Sequence, residues 1–369
     1  QAQFEIILIA AVVAASCGLV GTFLVLRRMA LMSDAISHAI LFGIVVMFFV
    51  VENITSPWLV IAAAATGLLT VVLVELLTRT QLVKEDAAIG LVFPLLFSLG
   101  VILISRYAAN IHLDVDAVLL GELAFTPFDR LVVGGLDIGP RALWLAVGVG
   151  LLNLAFILLF YKELKLATFD AGLAMALGFS PAIIHYALMS LASLTAVSSF
   201  EAVGSVLVVA LMIAPPAAAY LLTDRLPVML ALSAAIGVLS AVTGFYLARL
   251  LDGSIAGSIA TMTGVFFLLV LLLAPQRGLV GRWSRARRQR YQFAGEMLLV
   301  HLSQHEHEPA ASAEATLEHM ARHMHWQPAF GAQVADLLLR RGLVTRQNGG
   351  TRLALTETGR ALARDVMVR

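Results

Sequence analysis

Charge and cysteine are both scarce in this chain. Only 13% of its 369 residues are charged, 60% are hydrophobic, and the only cysteine is Cys17. A single cysteine excludes an intrachain disulfide and any zinc or iron–sulfur site built on several thiolates. The low charge density excludes an ordinary soluble protein, because soluble domains carry about twice that fraction of charged residues. Most of the chain is therefore expected in lipid.

Lysine is scarce as well, and its few positions show whether the chain could bind a nucleotide such as ATP. The three lysines, Lys84, Lys162 and Lys165, follow Val, Tyr and Leu. The common nucleotide-binding loop is glycine-rich and ends in Gly-Lys-Ser/Thr, so the sequence contains no such loop. We therefore predict that the chain is not an enzyme and that any ATP hydrolysis driving it belongs to another polypeptide.

Nine apolar stretches precede Pro275, each close to the roughly 20 residues that span a bilayer core. They are continuous in Leu, Ala, Val and Ile, which favours helices over the alternating strands of a barrel. The predicted spans are residues 4–26, 33–51, 58–77, 86–104, 141–161, 181–199, 202–222, 227–250 and 254–274. The predicted fold is an all-α polytopic membrane bundle of about nine transmembrane helices. Pro215-Pro216 is expected to break or kink the seventh span, and residues 105–138 are expected to form an outer loop with a short helix.

Charge divides the chain into three regions. Residues 1–276 carry a net charge of −5, residues 277–290 carry +6, and residues 291–369 are neutral. With the N-terminus outside, seven basic residues of the first region fall in inner loops and four in outer loops, as the positive-inside rule requires. The odd number of helices then places the basic region inside, against the anionic leaflet. We predict an N-out transmembrane permease domain, a basic juxtamembrane linker and a cytoplasmic domain with these boundaries.

Residues 291–369 have the charge density of a soluble domain and amphipathic spacing. The predicted helices are residues 291–304, 312–325 and 328–342. A hairpin with its turn at Asn348-Gly349-Gly350 and a last helix capped by Thr356 follow, so we predict a winged-helix-like α+β domain. The segment "LLLRRGLVTRQNGGTRLALTETGRALA" resembles part of the iron- and manganese-dependent repressors. The neutral, membrane-tethered domain argues against a nucleic-acid partner and favours a regulatory or assembly role.

Six of the nine histidines lie in this C-terminal domain, in two copies of one spacing. The copies are His301-x3-His305-x-His307 and His319-x3-His323-x-His325. Residues four apart share a helix face, and histidine tracts are typical of metal sites that discriminate weakly among Zn, Ni, Cu and Co. The two tracts predict a regulatory metal site, with polar helix surface as the alternative.

Another metal candidate lies at the start of the second span. Asp34 and His38 are four residues apart and share one helix face, which Ser33 is expected to cap. A carboxylate and an imidazole suit Mn, Fe(II) or Zn better than Cu(I), and ionisable groups in a membrane usually line a path. The alternative is a helix-start charge beside a packed histidine. Glu201, between the sixth and seventh spans, is either a pore-mouth attractor for cations or a solvated loop carboxylate.

The segment "YKELKLATFDAGLAMALGFSP" between the fifth and sixth spans is too long for a simple turn. It predicts a short inner helix that starts near Thr168 or Asp170 and ends near Gly178. Pro181 opens the next span. Ala174 and Gly178 offer a small-residue face that another protein can approach closely, and an ordinary interfacial loop helix is the alternative.

Several motifs in order carry a family resemblance over residues 4–274. They are "RRMALMSDAISHAILFGIVV", "KEDAAIGLVFPLLFSLGVILIS", the inner segment above and "EAVGSVLVVALMIAPPAAAYLLTDRL". Together they resemble the membrane subunits of ABC importers for zinc, manganese and iron(II). The resemblance implies that Asp34 and His38 are translocation-path ligands and that a cytoplasmic ABC ATPase dimer, which binds ATP, docks around residues 168–178. It further implies a second permease subunit, identical or related, and an extracytoplasmic metal-binding protein, in the bacterial cytoplasmic membrane.

On this reading the metal ion is cargo, and no permanently bound cofactor is expected. Manganese is favoured by the repressor-like C-terminal segment, with Zn and Fe(II) as alternatives. Two other functions stay open on the residues alone: a secondary metal-ion transporter, which needs no ATPase, and a membrane-tethered metal sensor, which uses only the C-terminal domain. A membrane metalloenzyme is disfavoured, because the spans contain no His-Glu-x-x-His or comparable cluster.

Overall fold

The chain divides into two compact units, Gln1–Gly278 and Leu279–Arg369. The first is a bundle of long helices, and the described part of the second combines three helices with a two-stranded sheet. The computed structural model describes residues 2–53, 56–107, 123–133, 136–275, 277–306, 316, 319, 322–347 and 352–368.

Within these described residues, nine helices are long and apolar enough to cross a membrane, which confirms the predicted polytopic membrane fold. They are α1 (Ala2–Leu26), α2 (Ala30–Val51), α3 (Pro57–Arg79), α4 (Glu85–Tyr107), α5 (Arg141–Leu159), α8 (Pro181–Val203), α9 (Ser205–Leu222), α10 (Leu226–Leu251) and α11 (Ile255–Leu273). Two shorter helices, α6 (Tyr161–Phe169) and α7 (Ala171–Ala176), lie between α5 and α8. Each predicted span contains one long helix, because an unbroken apolar run satisfies its backbone hydrogen bonds in lipid only as a helix.

Helix α1 lies at the centre of the bundle, where it packs against α5, α8, α9 and α10. Small residues allow the close approach. A Cβ atom at Gly21 would overlap the backbone carbonyl of Met212 in α9, so only glycine fits at this crossing. Helix α2 packs against α3, α4 and α8 on the other side. This second group of helices carries the candidate metal-binding pair.

Helix α9 runs without a break through Pro215 and Pro216, since membrane helices tolerate proline where neighbouring groups satisfy the freed carbonyls. The expected break is therefore absent, and the alternative of a kink stays a prediction. In the described part of the outer segment the structure has a 3₁₀ turn at Thr126–Phe128 and an antiparallel hairpin, β1 (Arg130–Val133) and β2 (Leu136–Pro140), and the short helix expected within residues 105–138 stays a prediction. Most of the remaining loop lies outside the described residues.

One ion pair holds the outer hairpin, and a second ties it to the bundle. Arg130 bonds to Asp137 across the two strands, and its Nη1 also lies 3.3 Å from a carboxylate oxygen of Glu5 in α1. The bond from Arg130, together with the Gly139 backbone N–H, lowers the pKa of the Asp137 carboxyl. The hairpin is therefore attached to the same end of the bundle as the start of α1.

The C-terminal unit has its own apolar core. Its elements are α12 (Leu279–His305), α13 (Pro328–Arg340), β3 (Val344–Gln347), β4 (Arg352–Leu355) and α14 (Glu357–Val368). The predicted hairpin strands and the Thr356 cap are confirmed; Thr356 Oγ1 accepts from the Gly359 N–H at 3.1 Å. The basic stretch predicted as a linker is the first part of α12, because Arg, Ala and Gln are good helix formers. The hairpin turn and most of the predicted helix 312–325 lie outside the described residues, so a complete winged-helix fold stays a prediction.

Candidate functional site

The candidate metal-binding pair sits near the start of α2. A turn of three residues, Arg27 to Met29, joins α1 to α2, and Arg28 adopts a left-handed φ of 62° within it. The expectation that Ser33 caps the helix was wrong: α2 already begins at Ala30, and the Ser33 hydroxyl donates to the Ala30 carbonyl at 2.8 Å. The pair therefore lies inside a helix that starts one turn earlier than expected.

Asp34 and His38 face the same side of α2, as their spacing predicts. His38 Nε2 lies 3.4 Å from Asp34 Oδ1, and the two side chains are 31% and 42% exposed respectively. The His38 ring also packs against Phe93 and Phe97 of α4, with ring centroids 5.7 and 6.0 Å away. Those contacts orient the imidazole while leaving the carboxylate accessible.

Two ligands do not complete a metal shell, because divalent transition metals take at least four. Among the described residues, no group of three or more His, Cys, Asp or Glu is arranged to hold an ion. In the part of the chain that the structure describes, no third His, Cys, Asp or Glu side chain therefore joins Asp34 and His38 in a metal-binding arrangement.

Glu201, the predicted pore-mouth carboxylate, belongs to the last turn of α8 and not to a loop. Its side chain lies outside the described part of the structure. Gly204, with φ of 80°, ends α8 and lets α9 begin immediately afterwards.

The predicted short inner helix is confirmed as α7. The Asp170 side chain caps it by accepting from the Leu173 N–H at 2.9 Å. Gly178, at φ of 86°, ends it: the Gly178 N–H bonds to the Met175 carbonyl and the Phe179 N–H to the Ala174 carbonyl, both at 3.0 Å. This pair of bonds is the Schellman arrangement, which requires a left-handed residue and so favours glycine.

The predicted small-residue face of this helix is only half present. Gly178 is open, and a Cβ there would meet nothing within 4 Å, but Ala174 is completely buried within its own chain. Ala174 therefore packs α7 onto the rest of the membrane unit and does not contribute to an exposed face. Sequence reasoning missed this because the faces of a six-residue helix depend on how it docks.

What the structure exposes instead is a set of apolar side chains that sequence analysis did not single out. They are Phe169, Leu173, Met175 and Leu177. We call them the inner apolar patch. A groove of about 620 Å³ is lined by Phe169 and by the apolar start of α10, together with the charged residues Lys165, Asp224 and Arg225. The sequence signal for this patch was the apolar pair Leu173 and Leu177, which are four residues apart in the segment between two spans.

Thr168, the other predicted docking residue, is connected to the turn before α2. The Arg27 Nε donates to Thr168 Oγ1 at 3.2 Å, and Arg27 Nη1 lies 3.4 Å from His185 Nδ1 in α8. Burial lowers the pKa of the Arg27 guanidinium, and its Nη2 has no hydrogen-bond partner among the described residues. His185 therefore belongs to this inner network.

A second pair of contacts continues this network into α3. The Tyr186 hydroxyl bonds to the Glu75 carboxylate, whose other oxygen accepts from Arg79 at 2.7 Å. Residues from α3, α6, α8 and the α1–α2 turn are thus joined at one end of the bundle. Two of these elements, α6 and α8, come directly before and after α7 in the sequence. None of these long-range partners can be read from local sequence spacing.

The histidines of the C-terminal unit come together across the two predicted tracts. The His301 ring centroid lies 4.6 Å from that of His305 and 5.3 Å from that of His323. The His319 and His323 rings stack at 6.0 Å. His325 is exposed and takes no part in these ring contacts, and His307 lies outside the described residues.

Comparisons with known proteins cover the whole membrane unit. The profile of the ABC 3 transport family matches residues 1–274. The manganese transport system membrane protein MntD of Bacillus subtilis is 51% identical over 283 residues, which are 77% of this chain and 96% of that protein. The zinc transport system membrane protein TroD of Treponema pallidum is 47% identical over 360 residues, 97% of each chain.

A solved structure gives the same result at the level of three dimensions. PsaBC from Streptococcus pneumoniae, in complex with a Fab, matches with a TM-score of 0.64 and 31% identity, covering 77% of this chain and 94% of the matched chain. The nine apolar helices and these relatives make the protein a multi-pass protein of the bacterial cytoplasmic membrane. Because the family profile spans most of its length, the chain belongs to the ABC 3 transport family.

Proposed function

We propose that this chain is the membrane-spanning subunit of an ATP-driven importer that moves a divalent transition metal ion, Mn or Zn, into the cytoplasm. The observation that carries the proposal is the Asp34–His38 pair, half-exposed on a membrane helix, with its carboxylate and imidazole 3.4 Å apart. Relatives named for manganese and for zinc transport support the class of cargo. Manganese stays favoured by the repressor-like segment, and a carboxylate ligand suits it.

The exposure of this pair supports a second permease subunit. Ionisable side chains within membrane helices are costly to insert, and they almost always face a partner or a water-filled path. Asp34 is 42% exposed in the single chain, so we propose that an identical or related permease covers it and encloses the ion path between the two. The partner would also supply ligands beyond the two found among the described residues.

The inner network and patch support an ATPase partner. Apolar side chains exposed beside charged residues at a membrane surface are typical of a protein-binding surface. We propose that a cytoplasmic ABC ATPase dimer, which binds and hydrolyses ATP itself, docks on the inner apolar patch around Thr168, Asp170 and Gly178. With the N-terminus outside, this end of the bundle lies in the cytoplasm. An extracytoplasmic metal-binding protein would deliver the ion at the opposite end, where Glu201 would attract it.

The test is uptake of radiolabelled Mn and Zn by the permease reconstituted with its ATPase. Asp34→Asn and His38→Ala should each lower uptake at least about tenfold, because each removes a ligand outright. The matched control is Asp252→Asn, since Asp252 lies after α10 in a left-handed conformation that asparagine tolerates. Glu201→Gln should lower uptake only at low external metal. Near wild-type uptake by the α2 variants, with correct assembly, would show that the pair is not in the ion path.

We further propose that the winged-helix-like C-terminal unit regulates uptake in response to cytosolic metal. The alignment with MntD covers 96% of that protein with only 283 residues, which leaves it no room for a unit as long as Leu279–Arg369. Truncation after Gly278, ahead of the continuous helix α12, should therefore leave uptake intact but less inhibited by preloaded metal. Identical inhibition curves for full-length and truncated protein would rule out sensing, and loss of the assembled complex would make the unit structural.

A further inference from the structure

We infer that four histidines of the C-terminal unit form one binding site for a borderline divalent cation of the Zn²⁺ class. They are His301, His305, His319 and His323. We call them the four-histidine cluster. Sequence spacing suggested two similar tracts, but the fold merges them: His301 and His305 lie at the end of α12, and His323 from the second tract packs on His301. The binding of metal here does not depend on the transport function, whereas any effect on uptake rests on the regulatory role proposed above.

Three of the six ring pairs in the cluster have centre-to-centre distances close to those of imidazoles sharing one ion. A Zn–N bond is about 2.0 to 2.1 Å, and the ring centre lies about 1.1 Å beyond the nitrogen, so tetrahedral ligands place neighbouring ring centres about 5 Å apart. The observed separations of 4.6, 5.3 and 6.0 Å bracket this value. No three donors among the described residues yet converge on one point, so binding requires the rings to turn about their side-chain torsions.

The cluster runs from the core of the unit to its surface. His301 is 8% exposed and lies on the face of α12 that also carries the buried Leu298 and Leu302, whereas His319 and His323 are exposed. The buried ring gives the site a fixed anchor, and the exposed rings give an ion a way in. Glu306, the residue that follows α12, bonds to Arg360 of α14 at 2.7 Å.

The donor set determines the class of ion. Neutral imidazole nitrogens suit Zn²⁺, Co²⁺, Ni²⁺ and Cu²⁺, whereas Mn²⁺ prefers carboxylate, carbonyl and water oxygens. The four-histidine cluster should therefore select against Mn²⁺, unlike the carboxylate-containing pair on α2. Binding would also cross-link the end of α12 to His319 and His323, and a ligand of that kind stabilises the folded arrangement that it bridges.

The experiment uses the full-length chain in detergent carrying His38→Ala, which removes the transport ligand. Titration with Co²⁺ should give the visible absorption of tetrahedral cobalt, saturating near one ion per chain and displaced by Zn²⁺ but not by equimolar Mn²⁺. His305→Ala and His323→Ala should each weaken Co²⁺ binding at least about tenfold. The matched control is His325→Ala, which removes a neighbouring exposed histidine outside the ring contacts and should change affinity less than twofold.

Several outcomes would overturn the inference. These are the absence of the tetrahedral cobalt band, wild-type affinity in the His305 and His323 variants, or equal losses in the His325 control. If His305→Ala fails to give a monodisperse protein, His319→Ala decides, because that ring is exposed and its removal leaves the core intact. The uptake assays on Asp34→Asn and His38→Ala fail or succeed separately, so a wrong transport assignment and a wrong cluster assignment give different results.

Discussion

Gly178 offers a sharp test of ATPase docking, because its own chain leaves the position empty. It holds a left-handed φ of 86°, closes α7 by a Schellman arrangement, and a Cβ there meets no heavy atom within 4 Å. Three substitutions separate backbone strain from bulk. Gly178→Asn keeps a residue that tolerates the left-handed region, Gly178→Ala adds strain alone, and Gly178→Trp adds the same strain plus a large side chain.

The expected magnitudes follow from this geometry. A non-glycine residue in the left-handed region costs roughly 1 to 2 kcal/mol, and asparagine costs less. Since the space beyond the Cβ is open, Trp should destabilise the isolated permease no more than Ala does. At an interface, by contrast, forcing a bulky side chain into a packed contact costs about 1 to 3 kcal/mol, which weakens binding roughly 5- to 150-fold.

The measurements are the Kd of the ATPase for the permease in lipid nanodiscs and the metal imported per ATP hydrolysed. Gly178→Asn and Gly178→Ala should stay close to wild type in both, and Gly178→Trp should lose affinity and coupling. Gly253→Trp is the control, because that glycine is also open but lies in the turn after α10, at the outer end of the predicted topology. Equal Kd values for the Ala and Trp variants would refute docking at α7.

Two further predictions concern contacts that the fold creates. Arg27→Gln and Thr168→Val each break the hydrogen bond between the α1–α2 turn and the inner segment, so each should lower the amount of metal imported per ATP hydrolysed. Because both substitutions remove the same bond, the double variant should be no worse than either single variant. Additive losses would show that this bond does not carry the effect. Gly21→Ala forces a Cβ onto the Met212 carbonyl and should lower the stability of the protein by about 1 to 3 kcal/mol, seen as thermal aggregation in detergent at a lower temperature. Gly90→Ala is the control and should leave the aggregation temperature unchanged, because a Cβ at that position meets no atom within 4 Å. Equal behaviour of the two glycine variants would mean that α1 and α9 are packed less closely than described.

The capping of α7 and the pairing on α2 were both readable from local spacing, while their surroundings were not. Asp170 and Gly178 are the residue types that begin and end helices, so their roles follow from side-chain and backbone chemistry within a few residues. Asp34 and His38 share a face because of helical periodicity alone. The burial of Ala174 and the position of the α2 start required knowledge of which segment packs against which.

The sequence by itself determined the nine membrane helices, the separate C-terminal unit and the residue types available for metal binding. Apolar transfer to lipid and helical hydrogen bonding act within one segment, so long uninterrupted runs specify spans without reference to the rest of the chain. Only the tertiary structure decided that Arg27 meets Thr168, 141 residues away, and that two histidine tracts form one cluster. Those contacts depend on how whole helices pack, and packing energies are summed over many distant side chains that no local pattern records.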